Sequence, residues 1–142
     1  MNNNLTKFIQ IVLQQSNKAI EKNEIPIGCL IFDPSTSNII SKAHNKEVTA
    51  YDPTAHAEII CIRNACKKLK QKRLDRLCLL TYLEPCSMCK EVIKSARISK
   101  VYYLFKNNNP RRKTIHKISY IKITGNYENL IKKFFISKRI KN

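Results

Sequence analysis

Two short words in the chain carry side chains able to do chemistry: His56-Ala-Glu58, and Pro85-Cys86-Ser-Met-Cys89 about thirty residues later. Imidazole nitrogen and thiolate sulfur are donors that zinc prefers. A structural zinc site closes with four protein ligands, whereas a catalytic one keeps three and leaves a position for water. His56, Cys86 and Cys89 make three. Glu58 is then left to handle the proton of that water, the work of a general acid–base group. The chemistry implied is metal-assisted hydrolysis of a base-like amine.

Neither half is decisive by itself. A Cys-x-x-Cys pair also marks redox dithiols and structural zinc knuckles, with a further cysteine or His44 as a fourth ligand. An isolated histidine such as His56 is more often a satisfied, partly buried side chain. An isolated Glu58 would serve as a favourable charge at a helix N-terminus. Their joint occurrence in this order moves the reading toward an open metal site.

The elements that must position these groups follow from periodicity. Leu5, Phe8, Ile9, Val12, Leu13 and Ile20 recur at helical spacing, predicting an amphipathic helix to about Lys22. Residues 26–32 and 39–44 read as the strands of a hairpin across the turn residues Asp33 to Asn38. Asn45 to Pro53 is a loop. A helix is expected from Thr54 to about Lys70, with Pro53 suited to its first turn. Leu77 to Leu83 is a buried strand, Pro85 opens a helix to about Ala96, and Val101 to Phe105 is a strand. A basic loop from Lys106 to Lys117 precedes a strand at 119–124 and a closing helix from Tyr127 to about Ile140. This order predicts an α/β fold, a three-layer α/β/α sandwich with a mixed five-stranded sheet. Cys86 and Cys89, three apart, would share a helix face. His56 and Glu58, two apart, converge only if they sit at a helix start and Glu58 reaches round. Helix dipoles at both starts would favour thiolate.

At 142 residues the chain is expected to form one domain, 1–142, burying roughly two-thirds of its unfolded surface. No apolar run reaches transmembrane length, and no secretory signal is legible at Met1-Asn-Asn-Asn. Cys29, Cys61, Cys66 and Cys78 sit in apolar or helical surroundings, which predicts reduced thiols and a cytoplasmic setting. The net charge is +17. From Val92 onward fourteen basic residues stand against Glu128 alone. AT-biased coding can raise lysine without selection, and a solvated basic face is one reading. The one-sidedness favours a polyanionic partner.

The wider words Asp52-Pro-Thr-Ala-His-Ala-Glu-Ile59 and Thr81-Tyr-Leu-Glu-Pro-Cys-Ser-Met-Cys89 closely resemble the bacterial tRNA-specific adenosine deaminases, within the cytidine deaminase-like superfamily. His-x-Glu…Pro-Cys-x-x-Cys is itself the signature of zinc deaminases. The resemblance runs from about Leu5 to Phe105 and returns near Ile121. It implies a cytidine deaminase-like fold with both motif helices against one sheet face. It also implies one Zn2+ per subunit on His56, Cys86 and Cys89, and Glu58 as the catalytic proton carrier. The substrate implied is adenosine at the wobble position of a tRNA anticodon stem-loop, converted to inosine by a homodimer. Asn45 stands where the family binds the substrate nucleoside, although a loop-capping amide is an equal reading of it. Backbone N–H groups of Ala57 and Cys86 at the helix starts, with Pro85 and Asn107, complete the expected substrate contacts. Family members usually carry a Gly-rich loop beginning near an aspartate. Here Lys106-Asn-Asn-Asn-Pro-Arg-Arg-Lys113 stands instead, with Asn107 near that aspartate. Two rival readings remain: a free nucleobase or nucleoside deaminase of cytosine or guanine type, and a non-catalytic zinc-stabilised RNA-binding subunit.

Overall fold

The computed structural model describes residues 2–108 and 118–141. Its elements are α1 (Asn2–Glu21), β1 (Gly28–Phe32), β2 (Ile39–His44), α2 (Ala57–Leu69), β3 (Cys78–Leu83), α3 (Ser87–Ser95), β4 (Lys100–Phe105), β5 (Ser119–Lys122) and α4 (Leu130–Lys141). The sheet order is β2-β1-β3-β4-β5. β1 is antiparallel to both β2 and β3, while β3, β4 and β5 run parallel. The mixed five-stranded sheet expected from the element order is the one observed.

Apolar side chains alternate along the central strands, and each face takes its own helices. On one face Cys29 and Ile31 of β1, Leu79 of β3 and Val101 of β4 pack with Ala57, Cys61, Ile62 and Ala65 of α2 and Ile93 of α3. On the other, Leu30, Phe32, Leu80, Tyr82 and Leu104 meet Phe8 and Val12 of α1 and Leu130 of α4. Side chains one residue apart on β1 therefore enter different cores, the period-two signature of a strand buried on both sides. Helices cover both faces, as expected, and α2 and α3 lie side by side on one of them.

Glycine is scarce, and other residues take the left-handed positions that end helices. Asn23 (φ 60°), Lys70 (φ 54°) and Arg97 (φ 65°) follow α1, α2 and α3. After each, the next N–H reaches back five residues: Glu24 to Ala19, Gln71 to Cys66 and Ile98 to Ile93. This is the Schellman closure, which satisfies carbonyls left open at a helix end.

Both motif helices start later than the sequence predicts. α2 begins at Ala57 rather than Thr54, and α3 at Ser87 rather than Pro85. Asp52 causes the first shift. Its Oδ1 accepts the Thr54 N–H and hydroxyl, each at 2.8 Å, and its carbonyl accepts the Ala55 N–H at 3.1 Å. Residues 52–55 are thereby spent in a turn, and Pro53 lies in it rather than in the helix. At α3 the first bond runs from the Lys90 N–H to the Cys86 carbonyl, so Pro85 precedes the helix. The last strand starts at Ser119 as expected but ends early, at Lys122, and α4 opens at Leu130 rather than Tyr127.

Candidate metal centre

His56 and Cys86 occupy the N-cap positions of α2 and α3, with extended backbones (φ −70° ψ 150° and φ −70° ψ 170°). Neither side chain caps its own helix. Each turns toward the neighbouring motif instead, Cys86 Sγ standing 3.6 Å from His56 Nδ1. The N-cap placement also settles the geometry of the His-x-Glu pair. His56 lies outside helical backbone, so its ring and the Glu58 carboxylate reach the same sulfur: Cys89 Sγ is 3.4 Å from His56 Nδ1 and 3.6 Å from Glu58 Oε2.

His56, Cys86 and Cys89 place one ligand atom each within 4.8 Å of one another. Zn–N near 2.0–2.1 Å and Zn–S near 2.3 Å at a tetrahedral angle require N···S of about 3.6 Å. The two Nδ1···Sγ separations are 3.6 Å to Cys86 and 3.4 Å to Cys89. The donor set and its spacing fit zinc. No other histidine, cysteine or carboxylate joins the group among the described residues. His44, considered as a fourth ligand, contacts its neighbour's carbonyl through Nδ1 (Asn45 O, 2.9 Å). The remaining four cysteines are free thiols outside the cluster.

The two thiols differ sharply in acidity. The hydrogen bond from Cys89 pushes Cys86 down to about 3, and the same bond with burial drives Cys89 upward. The hydrogen bond to Cys86 raises His56 against the opposing effect of burial. Glu58 is buried, and loss of solvent raises its carboxyl above the usual range. Thr81, at the middle of the sheet, donates its hydroxyl to Glu58 Oε1 at 3.3 Å.

The expected substrate contacts fare unequally. Asn45 is buried, and its amide is assigned with the nitrogen toward two acceptors, Glu47 Oε1 and Ala55 O, each at 3.2 Å, the orientation that satisfies both ends. That is the loop-holding role weighed for it. Ala57 and Pro85 are buried where the two motifs meet the sheet. Asn107 binds Glu84, its N–H to Oε1 at 3.3 Å and its amide to the carbonyl at 3.4 Å, which ties the end of β4 to the segment entering Cys86. Most of the basic loop expected from Lys106 to Lys117 lies outside the described residues. Three side chains at the site were not anticipated. Glu47 accepts from His56 Nε2 at 2.9 Å, Thr81 reaches Glu58, and buried Glu24 braces the intervening loop.

The model of the cytidine and deoxycytidylate deaminase zinc-binding region matches residues 2–105. The chain belongs to that family. Among curated relatives, a tRNA-specific adenosine deaminase of Aquifex aeolicus is 42% identical over 68% of this chain and 62% of its own length. The chain thus spans less than two thirds of that relative. A tRNA-specific adenosine deaminase of Buchnera aphidicola subsp. Baizongia pistaciae is 36% identical over 82% of this chain and 78% of its own. A solved structure from studies of A-to-I editing by tRNA:A34 deaminases superposes with a TM-score of 0.75 at 31% identity, over 82% of this chain and 97% of that one. A guanine deaminase from Bacillus subtilis gives 0.65 at 35% identity, over 71% and 64%. The matched region contains both motif helices described above.

Proposed function

We propose that this chain is a zinc-dependent hydrolase that deaminates adenosine to inosine at the wobble position of a tRNA anticodon. The observation that carries the reading is the three-ligand centre with the buried Glu58 carboxylate at its side, 3.6 Å from Cys89 Sγ. A purely structural zinc site has no use for a carboxyl group removed from solvent and left outside the ligand set. The tRNA-specific names of the relatives and the basic C-terminal third support RNA as the substrate.

Zinc, held by His56, Cys86 and Cys89, would supply Lewis acidity that brings the pKa of water from about 15.7 to about 7. Glu58 takes the proton of the attacking water, delivers it to a ring nitrogen, and afterwards protonates the departing amine. Its raised pKa suits a group that must hold a proton between those transfers. Thr81 fixes the far carboxylate oxygen, so the other stays directed at the centre. The N–H groups of Ala57 and Cys86, at the two helix starts, would serve as polar contacts for the substrate. Water adds at the amino-bearing carbon and ammonia leaves.

An unpaired anticodon base can be splayed into such a site without breaking a helix. Phosphates of the stem-loop would meet the basic residues of the C-terminal third. We infer a single deaminase domain over residues 1–142, acting in the cytoplasm as a homodimer. No helix among the described residues is long and apolar enough to cross a membrane.

The likeness to a guanine deaminase favours a second reading, a free purine base as substrate. Incubating total tRNA with the purified protein and measuring inosine by mass spectrometry separates the two. Inosine at the anticodon is expected. Ammonia release from guanine, with none from tRNA, would reverse the assignment.

A further inference from the structure

A histidine that ligates through Nδ1 must have its ring held by something at Nε2. In this chain that something is Glu47, nine residues upstream on the loop between β2 and α2. Its Oε1 lies 2.9 Å from His56 Nε2, while His56 Nδ1 faces both motif sulfurs. Because the partner of Nε2 is a carboxylate, the proton belongs on Nε2 and the lone pair on Nδ1. Glu47 is in turn held. Asn45 donates its amide to the same Oε1 at 3.2 Å and to Ala55 O, so the carboxylate oxygen is fixed between two donors. The Glu47 carbonyl accepts the Asp52 N–H at 3.0 Å, and the next two residues are pinned by the carboxylate of Glu24. With its side chain 34% exposed, Glu47 is not a buried charge seeking any partner; solvent was available to it.

We propose that Glu47 is a positioning residue for the metal centre, orienting His56 through an Asn45–Glu47–His56 chain of hydrogen bonds and making the imidazole a stronger donor. The inference rests on His56 being a zinc ligand and not on which amine is the substrate. It also assigns Asn45 a task besides any contact with a nucleoside: its amide nitrogen serves the histidine through Glu47. Outer carboxylates of this kind typically change metal affinity by about 10- to 100-fold when removed.

The test is zinc affinity of the full-length wild type, E47Q and E47A, measured by competition with a chromophoric chelator at one neutral pH. Denaturant midpoints of the three zinc-free proteins are measured in parallel. E47A is expected to bind zinc about 10- to 100-fold more weakly. E47Q keeps an oxygen acceptor for Nε2–H and is expected to recover the larger part of the loss, with zinc-free midpoints alike in all three. Wild-type zinc affinity in E47A overturns the proposal. So does a loss of affinity that E47Q shares in full, or one matched by a lower zinc-free midpoint, since Glu47 would then be bracing the loop. A wild type that binds no zinc removes the metal centre itself and this inference with it, a result distinct from equal affinities.

Discussion

Thr49 gives both its donors to one oxygen of Glu24, the N–H at 2.9 Å and the hydroxyl at 2.8 Å, across twenty-five positions of chain. The other oxygen accepts the Val48 N–H at 2.9 Å. Glu24 is fully buried just past the end of α1, and the loop it braces carries Asn45 and Glu47 toward the metal ligands. The Glu24 carboxylate is thus satisfied by three donors from a loop that has no regular structure of its own.

That arrangement makes stability depend on pH. Burial pushes Glu24 upward, but the Thr49 and Val48 donors outweigh it and hold the carboxyl below its ordinary value. A group depressed on folding adds stability above its unfolded pKa and loses it as pH falls through the folded one. Glu24→Gln should therefore cost about 1.5–3 kcal/mol near neutrality, the scale of hydrogen bonds to a charged group. The gap to wild type should narrow as pH drops below the ordinary glutamate range. Paired urea melts across pH, in which other titrating groups cancel, measure it; a gap that stays constant contradicts the account.

Gly28 shows how closely α1 is laid on the sheet. A Cβ there would stand 2.3 Å from the Val12 carbonyl oxygen and 2.8 Å from the Ser16 nitrogen, both main chain and unable to swing aside. The Gly28 N–H also donates to Ser16 Oγ at 2.9 Å, which ties the start of β1 to α1. Gly28→Ala should destabilise by about 1–3 kcal/mol through overpacking. Since the Gly28 carbonyl lies 3.5 Å from the Thr81 hydroxyl that steadies Glu58, turnover should fall as well. An alanine variant as stable as wild type in denaturant would show that α1 can move away.

What could be read from the sequence follows the range of the forces involved. The candidate ligand cluster was legible because two contiguous words hold all three residues, and a helix start brings them together locally. The sheet was legible because strands buried on both faces are short apolar runs bounded by turn residues. The helix starts at Ala57 and Ser87 were not, because Pro53 and Pro85 suit a first helical turn as well as the turn before it. There Asp52, through side-chain bonds, decides the first case. Glu47 and Glu24 had no signal at all. Each is an ordinary charged residue in polar sequence, and its role exists only once the loop at 46–51 is folded against α1 and α2.

The ligand set makes a direct prediction about metal content. Cys86→Ala removes one of two sulfurs, and the remaining pair, His56 Nδ1 and Cys89 Sγ at 3.4 Å, cannot close a three-ligand site. Elemental analysis should find one zinc per wild-type chain and a small fraction of that in the variant. Chelator treatment of the wild type should abolish deamination, with recovery on adding zinc. Full zinc in Cys86→Ala would mean that the metal sits elsewhere.

Glu58 should separate chemistry from metal binding. It stands outside the ligand group yet touches a ligand sulfur, so Glu58→Gln keeps zinc and keeps an acceptor for Thr81 while losing the proton carrier. Turnover should fall at least about 10²-fold, the lower end of what general acid–base groups contribute. Inosine formation at the wild-type rate by a zinc-replete Glu58→Gln protein would assign the proton transfers to another group.

The basic C-terminal third predicts how binding responds to salt. Each phosphate neutralised releases condensed counterion, so the logarithm of affinity for an anticodon stem-loop should fall linearly with the logarithm of salt concentration. On α4, Lys133 is already paired with Glu128 and the Lys138 nitrogen lies 5.2 Å from the centroid of the Phe134 ring, whereas Lys132 has no ion pair among the described residues. Lys132→Ala should therefore reduce the salt slope by about one, as expected for a single lost phosphate contact. Lys133→Ala should change it less, because the wild-type charge is partly cancelled by Glu128. Fluorescence anisotropy with a labelled stem-loop at several salt concentrations gives both slopes. Equal slopes for wild type and Lys132→Ala would move the RNA-binding face away from α4.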